Sequence, residues 1–491
     1  MSTAEVYQTA QIRQLETFAK ERFGISGELM MQRAGEAALQ YFLKRWHGAK
    51  RVTVVCGAGN NGGDGYVFAQ KAHKRGLTVT VLQVGESAKL KDEAKKAYES
   101  CLAAGVAIRP FQFNDNLQQS DVIVDAIYGI GLQGSVRDEN RFAIDAINKS
   151  LIPVLAIDVP SGVDANTGSV MGSAVFATAT VTFIGEKLGL VTGAGMTYAG
   201  DVHCDDLQLP LALFALVTGD LERIEMDAFE SYLKPRPRDF HKGNAGHVLI
   251  VGGEEGFSGA PCMSALAALR VGAGLVTVAT HPKHAAFLNL THPEIMCHGI
   301  HTSLTLKKLL QKATVVVIGP GMGKSLWAKM LLKTVLKTAL PLIVDADALN
   351  LIAERPRKLS NWILTPHPGE ASRLLKITTK EVQQDRYAAL QKMQQMYEGV
   401  SILKGAGTLV AAANARSAVC TAGNPGMATG GMGDVLTGVI GGLLAQGAPL
   451  AVAAKMGVFV HARAGDLAAE NGGERGLMAT DLMPYLRQMV N

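Results

Sequence analysis

Near the N-terminus, Ile12, Leu15, Phe18, Ala19 and Phe23 recur at three- and four-residue steps, which places them on one face of a helix over residues 10–23. A second helix is predicted from about Glu28 to Arg45. The period then changes. Arg51 to Cys56 is a short apolar run rich in valine, the pattern of a strand covered on both faces. Helix 66–75, strand 77–84, helix 90–104, strand 121–125, helix 139–149 and strand 153–158 follow. Such alternation predicts a mainly parallel sheet with helices on both sides, joined by right-handed crossovers.

The pattern loosens near residue 210. Leu207 to Leu221 is apolar but holds Pro210 and Gly219, and Lys234 to Arg238 resists helix because each proline restrains its neighbour. A domain boundary is expected at about 215–225, leaving one domain over 1–218 and another over 225–491. A glycine-rich strand–loop unit, His247 to Gly253, opens the second half. Strands at 275–279, 314–318, 341–345, 362–365 and 400–403, a helix at 325–339 and a long helix from about Gly433 continue the alternation. The fold class is α/β in both halves, without an internal sequence repeat.

Composition narrows the classes. A chain of 491 residues is too long for one core, and 48% apolar with 19% charged residues is a globular balance. The net charge of +5 is spread out, and the four lysines between Lys89 and Lys96 fit a solvated helix face better than a nucleic-acid patch. No two of the six cysteines have CxxC spacing, so reduced thiols are expected. The polar opening residues lack an apolar signal core, and no long uncharged apolar window follows. A soluble cytoplasmic protein, bound to neither membrane nor nucleic acid and forming a homo-oligomer, is expected.

The first chemical motif follows strand 51–56. Gly57, Gly59 and Gly62 of GAGNNGGDG satisfy a dinucleotide-binding GxGxxG, with Glu86 as the nearest acid after the next strand. The loop is too rich for that reading alone, because Asn60, Asn61 and Asp64 exceed what a pyrophosphate cradle needs. Amide oxygens can serve a hard cation, and side-chain amides can hold phosphate or ribose. The plainer reading is a tight turn capped by Asp64. Two further strands end in Asp125, before Gly129 to Ser135, and in Asp158, before Ser161, Gly162 and Asp164. Ligands of a parallel sheet collect at these carboxyl ends, so three equivalent acidic loops favour a site over three unrelated caps.

GAGNNGGDG, DAIYGIGLQG and DVPSGVDA together resemble the NAD(P)H-hydrate epimerase family over roughly the first 210 residues. The resemblance implies a Rossmann-like three-layer sandwich that interconverts the two epimers of the hydrated nicotinamide ring and binds potassium. It implies potassium ligands at Asn61, Asp125 and Ser161. It places the substrate on Asn60, Asn61, Gly62, Gly63 and Asp64, on Gly129, Ile130, Gly131, Leu132, Gln133, Gly134 and Ser135, and on Asp158. Ile130 departs from the family's usual threonine, which leaves that position a backbone role. Epimerisation at a hemiaminal-like carbon needs a proton donor and acceptor, and a carboxylate such as Asp158 can serve.

In the second half, Gly423 to Gly438 is glycine-rich and runs into an apolar helix, so its backbone N–H groups form an anion site. Asp434 falls in that helix's first turn, as a general base for a substrate hydroxyl or simply as a cap. Lys404 to Thr408, Thr365 to Glu370, Asp345 to Asn350, His241 to Gly246 and Ser258 to Pro261 supply further loops at strand ends. Their order resembles the ADP/ATP-dependent NAD(P)H-hydrate dehydratase family, of ribokinase-like fold, over about 225–491. The resemblance implies nucleotide binding by Lys404, Gly405, Ala406, Gly407, Thr408 and Gly433. It implies contacts from Ala260, Gly321, His367 and Asp434 to the hydrated dinucleotide, with Asp434 as catalytic base, ADP as phosphoryl donor and magnesium bridging its phosphates.

Two lookalikes are set aside. GPGMGKS at 319–325 is one residue short of a Walker A loop, which would spoil the phosphate nest. His292, Cys297, His298 and His301 match no zinc template, and Pro293 interrupts them. The expected function is therefore two-step repair of hydrated NAD(P)H. The alternatives are a small-molecule kinase of ribokinase type with an accessory domain, a non-catalytic nucleotide sensor, and a nicotinamide dehydrogenase.

Overall fold

The computed structural model describes residues 5–491, and the first four residues of the polar opening stretch lie outside it. The polypeptide divides into two compact units after Leu221.

The N-terminal unit is built on a seven-stranded sheet. Its order is Ala107–Pro110, Thr78–Gln83, Arg51–Cys56, Val122–Ala126, Val154–Ile157, Ala179–Phe183 and Asp201–Asp205, with every pairing parallel. Alternation along the strands explains its two covers. Val52, Val54, Cys56, Val122 and Val124 join one core with the helices Gly27–Arg45 and Asn60–Lys74. Val55 and Ile123 point the other way, against Ala143, Ile144 and Ile147 of the helix Asp138–Ser150. Arg51–Cys56 has Thr78–Gln83 on one side and Val122–Ala126 on the other, so the chain reverses direction across the sheet there. That switch leaves a crevice at the carboxyl ends of the two central strands.

In the C-terminal unit, Met296–Gly299, Leu275–Thr280, His247–Val251, Val315–Ile318, Leu342–Val344, Trp362–Leu364 and Val400–Leu403 are parallel neighbours in that order. Thr408–Ala412 and Ser417–Cys420 then extend the sheet antiparallel. Helix Gly259–Arg270 lies along helix Met432–Ala445. A Cβ on Gly438 would meet the Ser264 carbonyl at 2.0 Å, and one on Gly442 the Ala268 carbonyl at 2.7 Å. This register makes the helices parallel, so the first turns bearing Ala260 and Asp434 share one end.

The main departure from the sequence reading is the glycine motif. The helix after the first strand starts at Asn60, not near residue 66, with Gly59 as N-cap. Asp64 is thus not a cap; it lies in the second turn. Strands Ala107–Pro110, Ala179–Phe183, Asp201–Asp205, Met296–Gly299, Thr408–Ala412 and Ser417–Cys420 were not anticipated. Among the described residues, no helix is long and apolar enough to cross a membrane.

Candidate functional sites

The crevice of the N-terminal unit encloses about 600 Å³. Asn60, Asn61 and Asp64 line it from the first turns of their helix, Gly129, Ile130 and Gly131 from the loop after Val122–Ala126, and Asp158 from the end of Val154–Ile157. A Cβ on Gly129 would stand 2.8 Å from Asp158 Oδ2 and 3.3 Å from Asn61 Cγ, so glycine there lets a backbone turn pass between the carboxylate and the amide. Gly62 and Gly63 do not line the crevice. They are buried; a side chain on Gly62 would strike the Gly57 carbonyl at 2.0 Å, and one on Gly63 would meet Met31 at 2.5 Å, so the first packs the helix against the end of its strand and the second against the neighbouring helix Gly27–Arg45. Leu132, Gln133, Gly134 and Ser135 also lie outside the lining, the last three exposed.

Asp158 is held in the left-handed region at φ 68°, an uncommon position for a residue with a Cβ. Its Oδ1 accepts a hydrogen bond from Lys187 Nζ at 2.5 Å, and its Oδ2 accepts the Ile130 N–H at 3.3 Å. Lys187 is 1% exposed and also donates to Thr182 Oγ1 and the Phe183 carbonyl, each at 2.8 Å, so its three N–H bonds are all placed. The sequence reading missed Lys187. Its only signal was a lysine amid the buried run Phe183–Leu190.

Behind this pair, Asp125 is fully buried. It accepts from the Ser161 N–H at 2.8 Å, the Ser161 hydroxyl at 2.6 Å and the Ile127 N–H at 3.2 Å. Burial nevertheless raises its pKa to about 6. Asn61 is 8% exposed, and neither atom of its carboxamide has a partner. An orphaned buried amide beside an acidic loop cluster fits a cation that accepts oxygen donors. Asp64 and Glu16 share the wall. Burial, then the charge of Asp158, raises both carboxyl groups above their ordinary range.

In the C-terminal unit the loops meet around Lys404. Its Nζ bonds Asp345 Oδ1 at 2.8 Å and lies 3.9 Å from Glu370. A Cβ on Gly433 would sit 3.2 Å from that ammonium and 3.5 Å from Asp345 Oδ2, which brings the start of helix Met432–Ala445 against the same pair. Burial alone would lower the Lys404 pKa, but Asp345 and Glu370 outweigh it and raise it. Asp434 has no such pairing; burial, then the Asp345 charge, pushes its carboxyl up to about 7. His367 caps helix Pro368–Leu375 by accepting the Gly369 N–H on Nδ1 at 3.0 Å, and burial, then Lys404, lowers its pKa. Gly321 and Ala260 are neighbours, a Cβ on the first lying 3.3 Å from that of the second.

Supporting residues here were also missed. Arg386 is 1% exposed and donates to the carbonyls of Leu403, Lys404 and Gly407, fixing the Lys404–Thr408 loop from behind. Gly405 at φ 131° and Gly407 at φ 62° give the loop a shape that other residues rarely adopt. Asp466 accepts from the Gly423 N–H and the Asn424 amide, both at 3.0 Å, and anchors the start of the glycine-rich segment.

Two family models match the chain: "YjeF-related protein N-terminus" over residues 27–189, and "NAD(P)H-hydrate dehydratase" over 248–488. A bifunctional NAD(P)H-hydrate repair enzyme of Coxiella burnetii is 52% identical over 486 residues, covering 99% of both chains. One from Escherichia coli is 42% identical over 489 residues, covering 99% of this chain and 94% of its own. A crystal structure of a ribokinase-like superfamily protein from Enterococcus faecalis aligns with 32% identity and a TM-score of 0.52, over 55% of this chain and 95% of its own. With both halves matched in one polypeptide and full-length relatives on either side of half identity, the chain belongs to the bifunctional NAD(P)H-hydrate repair enzyme family.

Proposed function

We propose that this chain repairs hydrated NAD(P)H in two steps. The N-terminal unit interconverts the R and S epimers, and the C-terminal unit dehydrates the S epimer with ADP, giving NAD(P)H, AMP and phosphate. The observation that carries the reading is the presence, in one chain, of two separate strand-end sites, each with a carboxylate beside glycine-opened backbone.

In the first site, Asp158 handles the proton of the hemiaminal hydroxyl, and the Gly129–Gly131 turn, with Asn60, positions the substrate. Asn61, Asp125 and Ser161 would hold potassium; the orphaned Asn61 amide and the raised Asp125 pKa both suit a nearby cation. Such a cation would supply positive charge that favours the ionised form of Asp125. In the second site, the Lys404–Thr408 loop and Gly433 would receive ADP, and magnesium would offset the charge of its phosphates. Asp434 accepts the ring-hydroxyl proton as that oxygen takes the phosphoryl group, a task suited to a carboxyl poised near neutrality. The ring nitrogen's electron pair then expels phosphate, and loss of a proton from the adjacent carbon restores the double bond. Ala260, Gly321 and His367 contact the dinucleotide.

The test supplies each purified epimer with ADP and magnesium and follows recovery of dihydronicotinamide absorbance. The S epimer should recover directly, and the R epimer only while the first site is intact. Phosphorylation of another metabolite with no recovery from either epimer would refute the reading and favour a kinase.

A further inference from the structure

Besides Asp158, the N-terminal crevice is lined by a further ionisable group, Glu16, that lies close to the Asp158–Lys187 pair. Glu16 lies on the helix Thr9–Phe23, upstream of the family match that begins at residue 27. That helix buries Ile12, Leu15 and Ala19 in the core and turns Glu16 into the crevice lining with Asp64, Asp158 and Lys187. Two basic residues flank Glu16 on its own helix, yet both are directed elsewhere. Arg13 donates to the Ile130 carbonyl at 3.3 Å, and Lys20 lies 3.9 Å from Glu93. Among the described residues, no hydrogen bond or ion pair reaches the Glu16 carboxyl, which is part-buried. Lys187 is fully committed to Asp158, Thr182 and Phe183.

Among the carboxyls that line the crevice, Asp158 and Glu16 come from different elements and differ in their surroundings. Asp158 has its counter-ion bonded to it. Glu16 has none, and the charged groups acting on it are Asp158 and Asp64 against Lys187, Lys20 and Arg13. The unpartnered, buried Asn61 amide in the same lining independently marks the space as one that a ligand completes.

We propose that Glu16 is the second catalytic residue of epimerisation, acting on the ring nitrogen while Asp158 acts on the hydroxyl. This rests on reading the crevice as the epimerase site. The Asp158 carboxylate takes the hydroxyl proton of the hemiaminal. The bond between the hemiaminal carbon and the ring nitrogen breaks, its electron pair moving to nitrogen, which receives the Glu16 proton. The resulting aldehyde turns about its bond to the ring chain. Nitrogen then attacks the other carbonyl face, returning its proton to Glu16, and the new alkoxide recovers the proton held by Asp158. No atom is gained or lost, and both residues end as they began. Burial, then the charge of Asp158, disfavours the Glu16 anion, and unequal environments for two carboxyls separate acid from base.

The experiment uses the full chain and measures interconversion of the separated epimers without ADP. Glu16→Gln should lower kcat by about 10²- to 10⁴-fold with little change in KM, and should remove the alkaline fall of the pH profile. Glu16→Asp should restore part of the rate and that alkaline limb. Dehydration of the S epimer, together with amide-exchange protection of Val122–Ala126, verifies that both units of each variant are folded. A folded Glu16→Gln variant that epimerises within threefold of the parent, or loses only in KM, overturns the proposal. So does loss of the alkaline limb in Asp64→Asn but not in Glu16→Gln. If Asp158→Asn, folded, also epimerises normally, the site assignment itself fails rather than the role of Glu16 alone.

Discussion

The two units solve the same electrostatic problem with opposite placements of an ion-paired lysine. In the N-terminal crevice, Lys187 is bonded directly to Asp158, the carboxylate that faces the Gly129–Gly131 turn. In the C-terminal unit, Lys404 is bonded to Asp345, while Asp434, the carboxyl proposed to act as base, has no ion-pair partner among the described residues and is pushed up to about 7 by burial and then the Asp345 charge. A salt bridge favours the charged form of the group it joins, and the carboxylate so retained raises the proton affinity of a neighbouring carboxyl that it omits. The first unit therefore pairs its strand-end acid and leaves Glu16 and Asp64 with raised proton affinity. The second pairs a supporting acid and leaves the reactive one adjustable.

The contrast can be broken most sharply at Asp434. Replacing it with Asn should slow dehydration of the S epimer by about 10²- to 10⁴-fold, judged by recovery of dihydronicotinamide absorbance, while epimer interconversion continues at the parental rate. Next in size is Lys187→Met. It leaves Asp158 without its counter-ion and should destabilise the N-terminal unit by about 3–5 kcal/mol in denaturant titration. Arg386→Leu is the C-terminal counterpart. It strips donors from three loop carbonyls, with an expected loss of about 1–3 kcal/mol and a higher ADP dissociation constant by calorimetry. The smallest effect is on pH dependence. A general base must be ionised, and the Asp434 pKa is raised to about 7, so dehydration should fall about tenfold for each pH unit below that value. A kcat profile at saturating ADP that stays flat down to the ordinary carboxylate range would show that Asp434 is not the titrating base.

Much of this arrangement is legible in the amino-acid sequence. Arg51–Cys56 and Val315–Ile318 are central strands whose apolar runs announce burial on both faces. Ala107–Pro110 and Asp201–Asp205 are edge strands, exposed at alternate or most positions, and so leave no comparable pattern. The helix start at Asn60 was hidden because Gly62 and Gly63 read as loop, whereas close packing on Gly57 and Met31 demands them inside the helix. The acidic strand ends Asp125 and Asp158 were legible as motif residues. Lys187 and Arg386 were not, because a buried cation opposes hydropathy and is explained only by partners distant in sequence. Lys187 finds Asp158 across 29 positions, and Arg386 finds Leu403 across 17.

The pairing of Lys187 with Asp158 also constrains how this chain can change over generations. Losing either member strands the other's charge in the interior, so neither position can drift singly without endangering the whole unit. A lineage that no longer needed epimerisation would have to exchange both at once for apolar residues, and would then keep a stable but inert half. Persistence of the ion pair is thus a heritable sign of use, and its joint disappearance would mark a retired site.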